Sequence, residues 1–67
     1  MPAVYTIVLT HGSAMVAEGD AHRAAAAYAA GGDRVAVQAL PFGIGEARRV
    51  EIDLNHYRGI IEHENPD

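Results

Sequence analysis

The sequence contains no cysteine, no tryptophan and no lysine, and aromatic residues make up only 6% of it. Without a thiolate, the chain can form neither a disulfide framework nor a Cys-ligated zinc site, and it has no thiol nucleophile. The longest uncharged stretch, residues 1–17, is too short and too polar to span a bilayer, and it lacks the basic start of a targeting segment. The absences therefore exclude disulfide scaffolds and cysteine enzymes, and we expect a cytoplasmic protein without membrane partners.

Large hydrophobic side chains are also scarce. The chain has 67 residues, of which 49% are apolar, but 13 of the apolar residues are Ala. A chain of this length buries only about 60% of the surface that it exposes when unfolded. Self-association is a common remedy for so small a core. We therefore expect one small domain that forms a homo-oligomer.

The charge balance is acidic. Nine Asp and Glu residues face five basic residues, all of them Arg, which gives a formal net charge of -4. Nucleic-acid binding depends on basic side chains that neutralise phosphates, so this balance makes such a partner less favoured than a protein. Arg without Lys, together with the many Ala residues, is typical of a GC-rich coding sequence. This pattern favours an origin in a bacterium or its phage.

Hydrophobic periodicity predicts strands and one helix in the order ββαββ. Alternation of apolar residues indicates the strands, and the clearest is the one in which Val50, Ile52 and Leu54 point inward. Asp20 is a suitable N-cap for the Ala-rich helix, and Gly31 and Gly32 suit its end. A helical turn is the alternative to the last strand. The strands are expected over residues 4–10, 14–18, 35–40, 48–54 and 60–63, and the helix over residues 21–30.

The pattern predicts an α+β fold with one mostly antiparallel sheet, which the helix covers. This sheet is either open or curled into a barrel-like shape. We expect a single domain over residues 1–63 and a polar tail over residues 64–67. Turns are expected at residues 11–13 and 55–59. One helix on one sheet leaves a face or an edge uncovered.

The sequence gives no strong signal for catalysis, a metal or a cofactor. The four His residues lack the helical spacing that points two imidazoles at one ion. His11 and Ser13 lie close together, but no third group is identifiable that would orient a triad. Glu51 and Asp53 alternate with Arg49 on the solvated side of a strand, which indicates surface ion pairs. We therefore predict no catalytic residue, no metal site and no cofactor.

The leading hypothesis is a non-enzymatic module that acts through protein-protein contacts. The strands at residues 14–18 and 60–63 are the expected sheet edges, and pairing of edge strands between copies is the expected contact. The loop after Pro41 adds apolar side chains between glycines. The predicted interface residues are Met15, Val16, Ile60, Ile61, Phe42 and Ile44.

Two alternatives come from other classes of function. In the first, an oligomeric regulator binds nucleic acid through Arg48, Arg49, Tyr57 and Arg58, with the tyrosine stacking on a base. In the second, a ligand-binding or catalytic site forms between subunits, lined by Tyr5, Tyr28 or His56, since a chain this small has difficulty building a cleft alone.

Overall fold

A computed structural model of the protein describes residues 3–41 and 43–63. Its strands form two antiparallel sheets, one of three strands in the order β2-β1-β5 and one of two strands, β3-β4. The predicted α+β class and ββαββ order are confirmed, and the last element is a strand. The elements are β1 (Val4–Leu9), β2 (Gly12–Ala17), α1 (Glu18–Ala29), β3 (Arg34–Ala39), β4 (Arg48–Asp53), a 3₁₀ turn (Leu54–His56) and β5 (Tyr57–His63).

The two sheets meet at one point and then separate. The Leu40 N–H donates to the Met15 carbonyl at 2.7 Å, which links the end of β3 to β2. Further along β3, the Gln38 N–H donates to the Asp20 carboxylate at 2.8 Å, and the Arg23 guanidinium donates to the Ala36 carbonyl. The start of α1 thus enters the gap between β2 and β3. The two sheets do not join into one closed sheet.

The core lies between the helix and the inner faces of both sheets. Ile7, Leu54, Val16 and Val37 are its largest fully buried side chains. The inward set predicted for β4 is confirmed, because Ile52 and Leu54 are buried and Val50 packs against them. The helix meets the core through Ala21 and Ala24, which are both 0% exposed, and these small side chains let the helix approach the strands closely. Tyr28, four residues after Ala24 on the helix, is 51% exposed.

The helix begins earlier than predicted. It starts at Glu18, directly after β2, and its N-cap Ala17 provides no side-chain hydrogen bond. Asp20 is therefore not the N-cap but lies within the first turn, where its negative charge still interacts favourably with the helix dipole. Its carboxylate accepts the Gln38 N–H instead, a contact that only the tertiary fold creates.

The first hairpin turn lies at Thr10 and His11, one residue before the predicted turn at residues 11–13. Leu9 is opposite Gly12, and Tyr5 is opposite Val16. A shift of one residue in β2 would move Val16 to the other side of the sheet. Burial of Val16 therefore selects this register.

The predicted turn at residues 55–59 is shorter in the structure. The 3₁₀ turn ends at His56, and Tyr57 already belongs to β5. The register against β1 shifts between Val8 and Leu9, which marks a β-bulge, and Gly59 has a φ of 151° in this region. Glycine tolerates that backbone conformation, so β5 can continue through the bulge.

Two predictions concern residues that are not described, namely the interface role of Phe42 and the polar tail at residues 64–67; both lie outside the described residues. Within residues 3–41 and 43–63, no helix is long and apolar enough to cross a membrane.

Candidate functional site

The face of the three-stranded sheet that points away from the helix, here called the outer face, carries no Asp, Glu or Arg. At its centre, Thr6 lies opposite Met15 on one side and Ile61 on the other. Its apolar side chains are not part of the core cluster, and Ile61 is 53% exposed. The outer face consists of Val4, Thr6 and Val8 from β1, Ser13, Met15 and Ala17 from β2, and Gly59, Ile61 and His63 from β5.

The corresponding face of the two-stranded sheet is polar. Arg34 lies opposite Asp53, and Gln38 lies opposite Arg49. The Arg34 guanidinium is 3.7 Å from the Glu51 carboxylate, so Glu51 pairs with Arg34 and not with Arg49 as predicted. Charged side chains therefore cover the outer side of β3 and β4, whereas the outer face of β2-β1-β5 is free of them.

The polar groups at the centre of the outer face satisfy each other. The Thr6 hydroxyl oxygen and His63 Nε2 are 2.6 Å apart and hydrogen-bonded across β1 and β5. An internal hydrogen bond lowers the cost of removing both groups from water. This contact makes the face more suitable for burial than its composition alone indicates.

The alternation of hydrogen bonds identifies which backbone groups of β5 face its open edge. The Met15 carbonyl points away from β1, because it accepts the Leu40 N–H. In a pair of antiparallel strands, two opposed residues either exchange backbone hydrogen bonds with each other or direct their N–H and C=O groups away from each other. Thr6 is opposite Met15, so the backbone N–H and C=O groups of Thr6 point to β5 and bond with those of Ile61. It follows that Ile60 and Glu62 direct their N–H and C=O groups to the open edge.

The structure separates the predicted interface residues into three groups. Ile44 and Ile61 are exposed, and Met15 is half-buried on the outer face. Ile60 is half-buried and packs against the core, so it offers its backbone to the edge and little side-chain surface. Val16 is 0% exposed and belongs to the core, so its side chain has no surface for a partner.

The candidate nucleic-acid residues divide between the start of β4 and the start of β5. Arg48 and Arg49 begin β4, whereas Tyr57 and Arg58 begin β5, in the other sheet. The Tyr57 ring packs against Tyr28, with centroids 4.6 Å apart and planes at 30°. Burial, and then the nearby Tyr28, raises the pKa of Tyr57 above its usual range. The ring that was expected to stack on a base is thus already stacked on a tyrosine of the same chain.

Of the residues suggested for an intersubunit pocket, Tyr28 contacts Tyr57, which follows His56 in the chain, whereas Tyr5 belongs to the core. Tyr5 is 7% exposed and meets His22 edge to face at 5.3 Å. Burial raises the pKa of Tyr5, and the charges of Glu62 and Glu18 add to this effect. No pocket is found in the described part of the chain.

A polar cluster that the sequence did not reveal lies where the first hairpin meets the 3₁₀ turn. The Thr10 hydroxyl is 2.9 Å from His56 Nδ1, and His56 Nε2 is 3.7 Å from the Asp53 carboxylate. His11 packs edge to face on His56 at 4.9 Å. The order of hydroxyl, imidazole and carboxylate is that of a relay for acyl transfer, but the groups are exposed and no cleft surrounds them.

The structural role of this cluster is clearer. The Thr10 N–H donates to the His56 carbonyl at 2.9 Å, so backbone and side chain together fix the turn to the hairpin. Residues 10 and 56 are 46 positions apart, and no local pattern could have shown their contact. Among the described residues, no group of three or more His, Asp or Glu could hold a metal ion.

Asp53 makes the acid stability of this junction testable. Its carboxylate accepts the Asn55 backbone N–H at 3.0 Å, and this bond lowers its pKa below the usual 3.8. The Asn55 side chain and the charges of His56 and Arg34 act in the same direction, while desolvation opposes them. The unfolded chain thus takes up this proton at a higher pH than the folded chain. The stabilisation is present above pH 3.8 and is lost as the pH falls through the lower folded pKa.

We therefore expect the free energy of unfolding to decrease on acidification, and to decrease less in Asp53→Asn than in the wild type. Urea unfolding followed by circular dichroism between about pH 5 and pH 2 measures this difference. Equal pH dependence in the two proteins would show that Asp53 does not titrate differently in the folded state.

Comparison of the chain with protein-family models, with curated proteins and with solved structures gave no match.

Proposed function

We propose that the chain is a non-enzymatic, homo-oligomeric interaction module of the cytoplasm that acts through protein-protein contacts of its three-stranded sheet. The observation that carries this proposal is the outer face, which has no Asp, Glu or Arg and to which all three strands contribute apolar side chains. Apolar surfaces of this kind, bordered by polar residues, are typical of protein contacts. The partner that we propose for this face is a second copy of the chain.

The charge distribution supports a second copy as the partner. Each chain has a formal net charge of -4, so two copies repel each other, and a contact without charged residues adds no like-charge pair to this repulsion. A two-fold contact brings the same patch together from both copies, and an apolar patch is complementary to itself. Sheets that stack in this way lie about 10 Å apart, as in a β-sandwich.

The size of the chain supports the same conclusion. Among the described residues, eight hydrophobic residues are buried to 7% exposure or less, and two of them are Ala. Burial of Met15, Val4, Val8 and Ile61 between copies would add apolar area to a core that is small for a monomer. The assembly would then stabilise the fold as well as provide its function.

The test compares two variants that change the net charge equally. Ile61→Asp places a carboxylate in the outer face, whereas Ala26→Asp places one on an exposed position of the helix. We expect the wild type and Ala26→Asp to have the same mass, a multiple of 7.1 kDa, in light scattering after size exclusion at micromolar concentration. Ile61→Asp should shift toward the monomer, because an unpaired charge is costly to bury.

A monomeric wild type, or an Ile61→Asp variant that keeps the full mass, would refute the proposal. Absorbance recorded in the same run tests the main alternative, a nucleic-acid-binding regulator. A raised ratio of absorbance at 260 nm to that at 280 nm would show bound nucleic acid and would favour the site at Arg48, Arg49, Tyr57 and Arg58.

A further inference from the structure

We infer that two copies pair through their β5 strands, antiparallel about a two-fold axis at Ile60, with Arg58 of each copy opposite Glu62 of the other. The inference rests on the proposed function in one respect, namely that the partner is a second copy. It adds a second contact, at the edge of the sheet, and specifies its register. The result is a continuous six-stranded sheet in the order β2-β1-β5-β5-β1-β2.

The open edge of β5 is the first step of the argument. Three backbone groups along the outer edge of β3 and just after it are already bonded: the Ala36 carbonyl to Arg23, the Gln38 N–H to Asp20 and the Leu40 N–H to Met15. Charged side chains follow the outer edge of β4, which is a common protection against strand pairing. At β5, by contrast, Ile60 and Glu62 direct their backbone groups outward, so this edge can accept another strand.

The hydrogen-bond alternation limits the possible registers. Backbone hydrogen bonds form between two copies only if residues whose N–H and C=O groups face the open edge lie opposite residues of the same kind in the other copy. For a two-fold pair, the axis must then pass through Ile60, Ile61 or a residue near them. An axis at Ile60 is the one that pairs all residues of β5, from Tyr57 to His63, because Ile60 is its central residue.

Charge then selects among these registers. Arg58 and Glu62 lie two residues on either side of Ile60, so an axis at Ile60 creates two opposite-charge pairs. An axis at Ile61 places Glu62 opposite Ile60 and moves the partner of Arg58 to position 64, outside the described residues, and an axis at Glu62 places two carboxylates directly opposite each other. Cross-strand pairs of opposite charge stabilise a sheet and like charges destabilise it. Both side chains are exposed in the single chain, and Arg58 forms no salt bridge among the described residues.

Side-chain shape agrees with this register. Gly59 of one copy lies opposite Ile61 of the other, on the outer face. No atom lies within 4 Å of the position that a Cβ of Gly59 would occupy, and Ile61 is 53% exposed. The exposed Ile61 side chain can therefore pack over Gly59 of the second copy, and the symmetry makes this contact twice.

The outer face of one chain is small, and the edge contact would enlarge it. Three strands about 4.8 Å apart and about 20 Å long cover a footprint of about 300 Å². A stable interface takes about 800 Å² of accessible surface from each partner, so the face of one chain is small for this task. Pairing through β5 places two outer faces in one plane and doubles the uncharged area available for stacking.

Charge reversal with rescue tests the register. Arg58→Glu creates two like-charge pairs of carboxylates, and Glu62→Arg creates two pairs of guanidinium groups. We expect each variant to raise the dissociation constant of the assembly about tenfold or more, measured by sedimentation at a series of concentrations. The double variant Arg58→Glu/Glu62→Arg should return to within about threefold of the wild type, since the opposite-charge pairs are restored with the residues exchanged.

Net charge supplies an internal control. From the wild-type value of -4, Arg58→Glu gives -6 and Glu62→Arg gives -2, so general repulsion predicts opposite effects for the two variants. The proposed register predicts weakening by both. Thermal melts followed by circular dichroism test whether each variant is folded. If either Arg58→Glu or Glu62→Arg does not fold, the rescue is measured by comparing the double variant with the single variant that does.

The possible failures are distinguishable. A wild type that is monomeric at all concentrations refutes both this inference and the proposed function. A wild type that associates, with single variants that do not weaken it or a double variant that does not rescue it, refutes the β5 register. In that case, loss of mass by Ile61→Asp would still support the contact through the outer face.

Discussion

Ile7→Ala should lower the free energy of unfolding by about 2 to 5 kcal/mol, the usual cost of removing a large aliphatic side chain from a packed core. Ile7 is 0% exposed and is one of the largest fully buried side chains. It lies on the central strand of its sheet, opposite Ala14 and Ile60, so no neighbouring strand can move freely to fill the cavity. A single small core supplies only about 3 to 5 kcal/mol of net stability, so the variant should lose a large share of its stability or all of it.

Ile44→Ala is the matched control, since it makes the same chemical change at a fully exposed position. It should alter the free energy of unfolding by less than about 0.5 kcal/mol. Urea and thermal unfolding, followed by circular dichroism in the far ultraviolet, measure both variants. If Ile7→Ala and Ile44→Ala unfold at the same urea concentration, the assignment of the core to the inner face of β1 is wrong.

Asp20→Ala should lower the free energy of unfolding by about 1 to 3 kcal/mol. The Asp20 carboxylate accepts the Gln38 N–H at 2.8 Å and lies 3.1 Å from the Arg23 guanidinium. Its side chain is only 18% exposed, so these contacts are better shielded from water than those of a surface pair. The variant leaves the Gln38 N–H without its partner at the point where β2 and β3 separate. For a domain of this size, each kcal/mol corresponds to a decrease of about 4 to 8 °C in Tm.

Glu51→Ala is the control for this effect. It also removes a salt bridge, to Arg34 at 3.7 Å, but both side chains are more than half exposed. Exposed pairs contribute about 0 to 1 kcal/mol, so the change in Tm should be much smaller. Hydrogen exchange of the Gln38 amide adds a local measurement, and it should accelerate in Asp20→Ala. Unchanged exchange together with an unchanged Tm would show that Asp20 does not hold the two sheets together.

Local patterns predicted the elements well where one face of a strand is buried. In β4, Val50 and Ile52 alternate with Arg49 and Glu51, and the structure packs the first pair into or against the core and exposes the second. The bounds of elements were less predictable. Asp20 has the chemistry of an N-cap, but its carboxylate is used by Gln38, far away in sequence, and the helix begins at Glu18 with no side-chain cap.

The candidate surface could not be predicted because it depends on strand order. Thr6, Met15 and Ile61 belong to different segments, and each sequence segment alone shows only an ordinary alternation of side chains. Their common face appears once β1 is known to lie between β2 and β5 in the observed registers. The contacts of Asp20 and Arg23 with β3 where the two sheets separate could not be predicted either, because they join residues 18 and 13 positions apart in the sequence.

The central position of β1 has a consequence for the order of folding. β1 pairs with β2 through a two-residue turn, but its other neighbour, β5, comes after every other element in the described chain. A local hairpin closes within about 1 to 10 μs, whereas a ladder between distant segments must first overcome the entropy of closing a long loop. We expect β5 to dock last and, in native-state hydrogen exchange, to open before the β1–β2 hairpin. Whenever β5 detaches, the free side of β1 can accept β5 from another copy, so the last step of folding and the exchange of strands between copies compete for the same site.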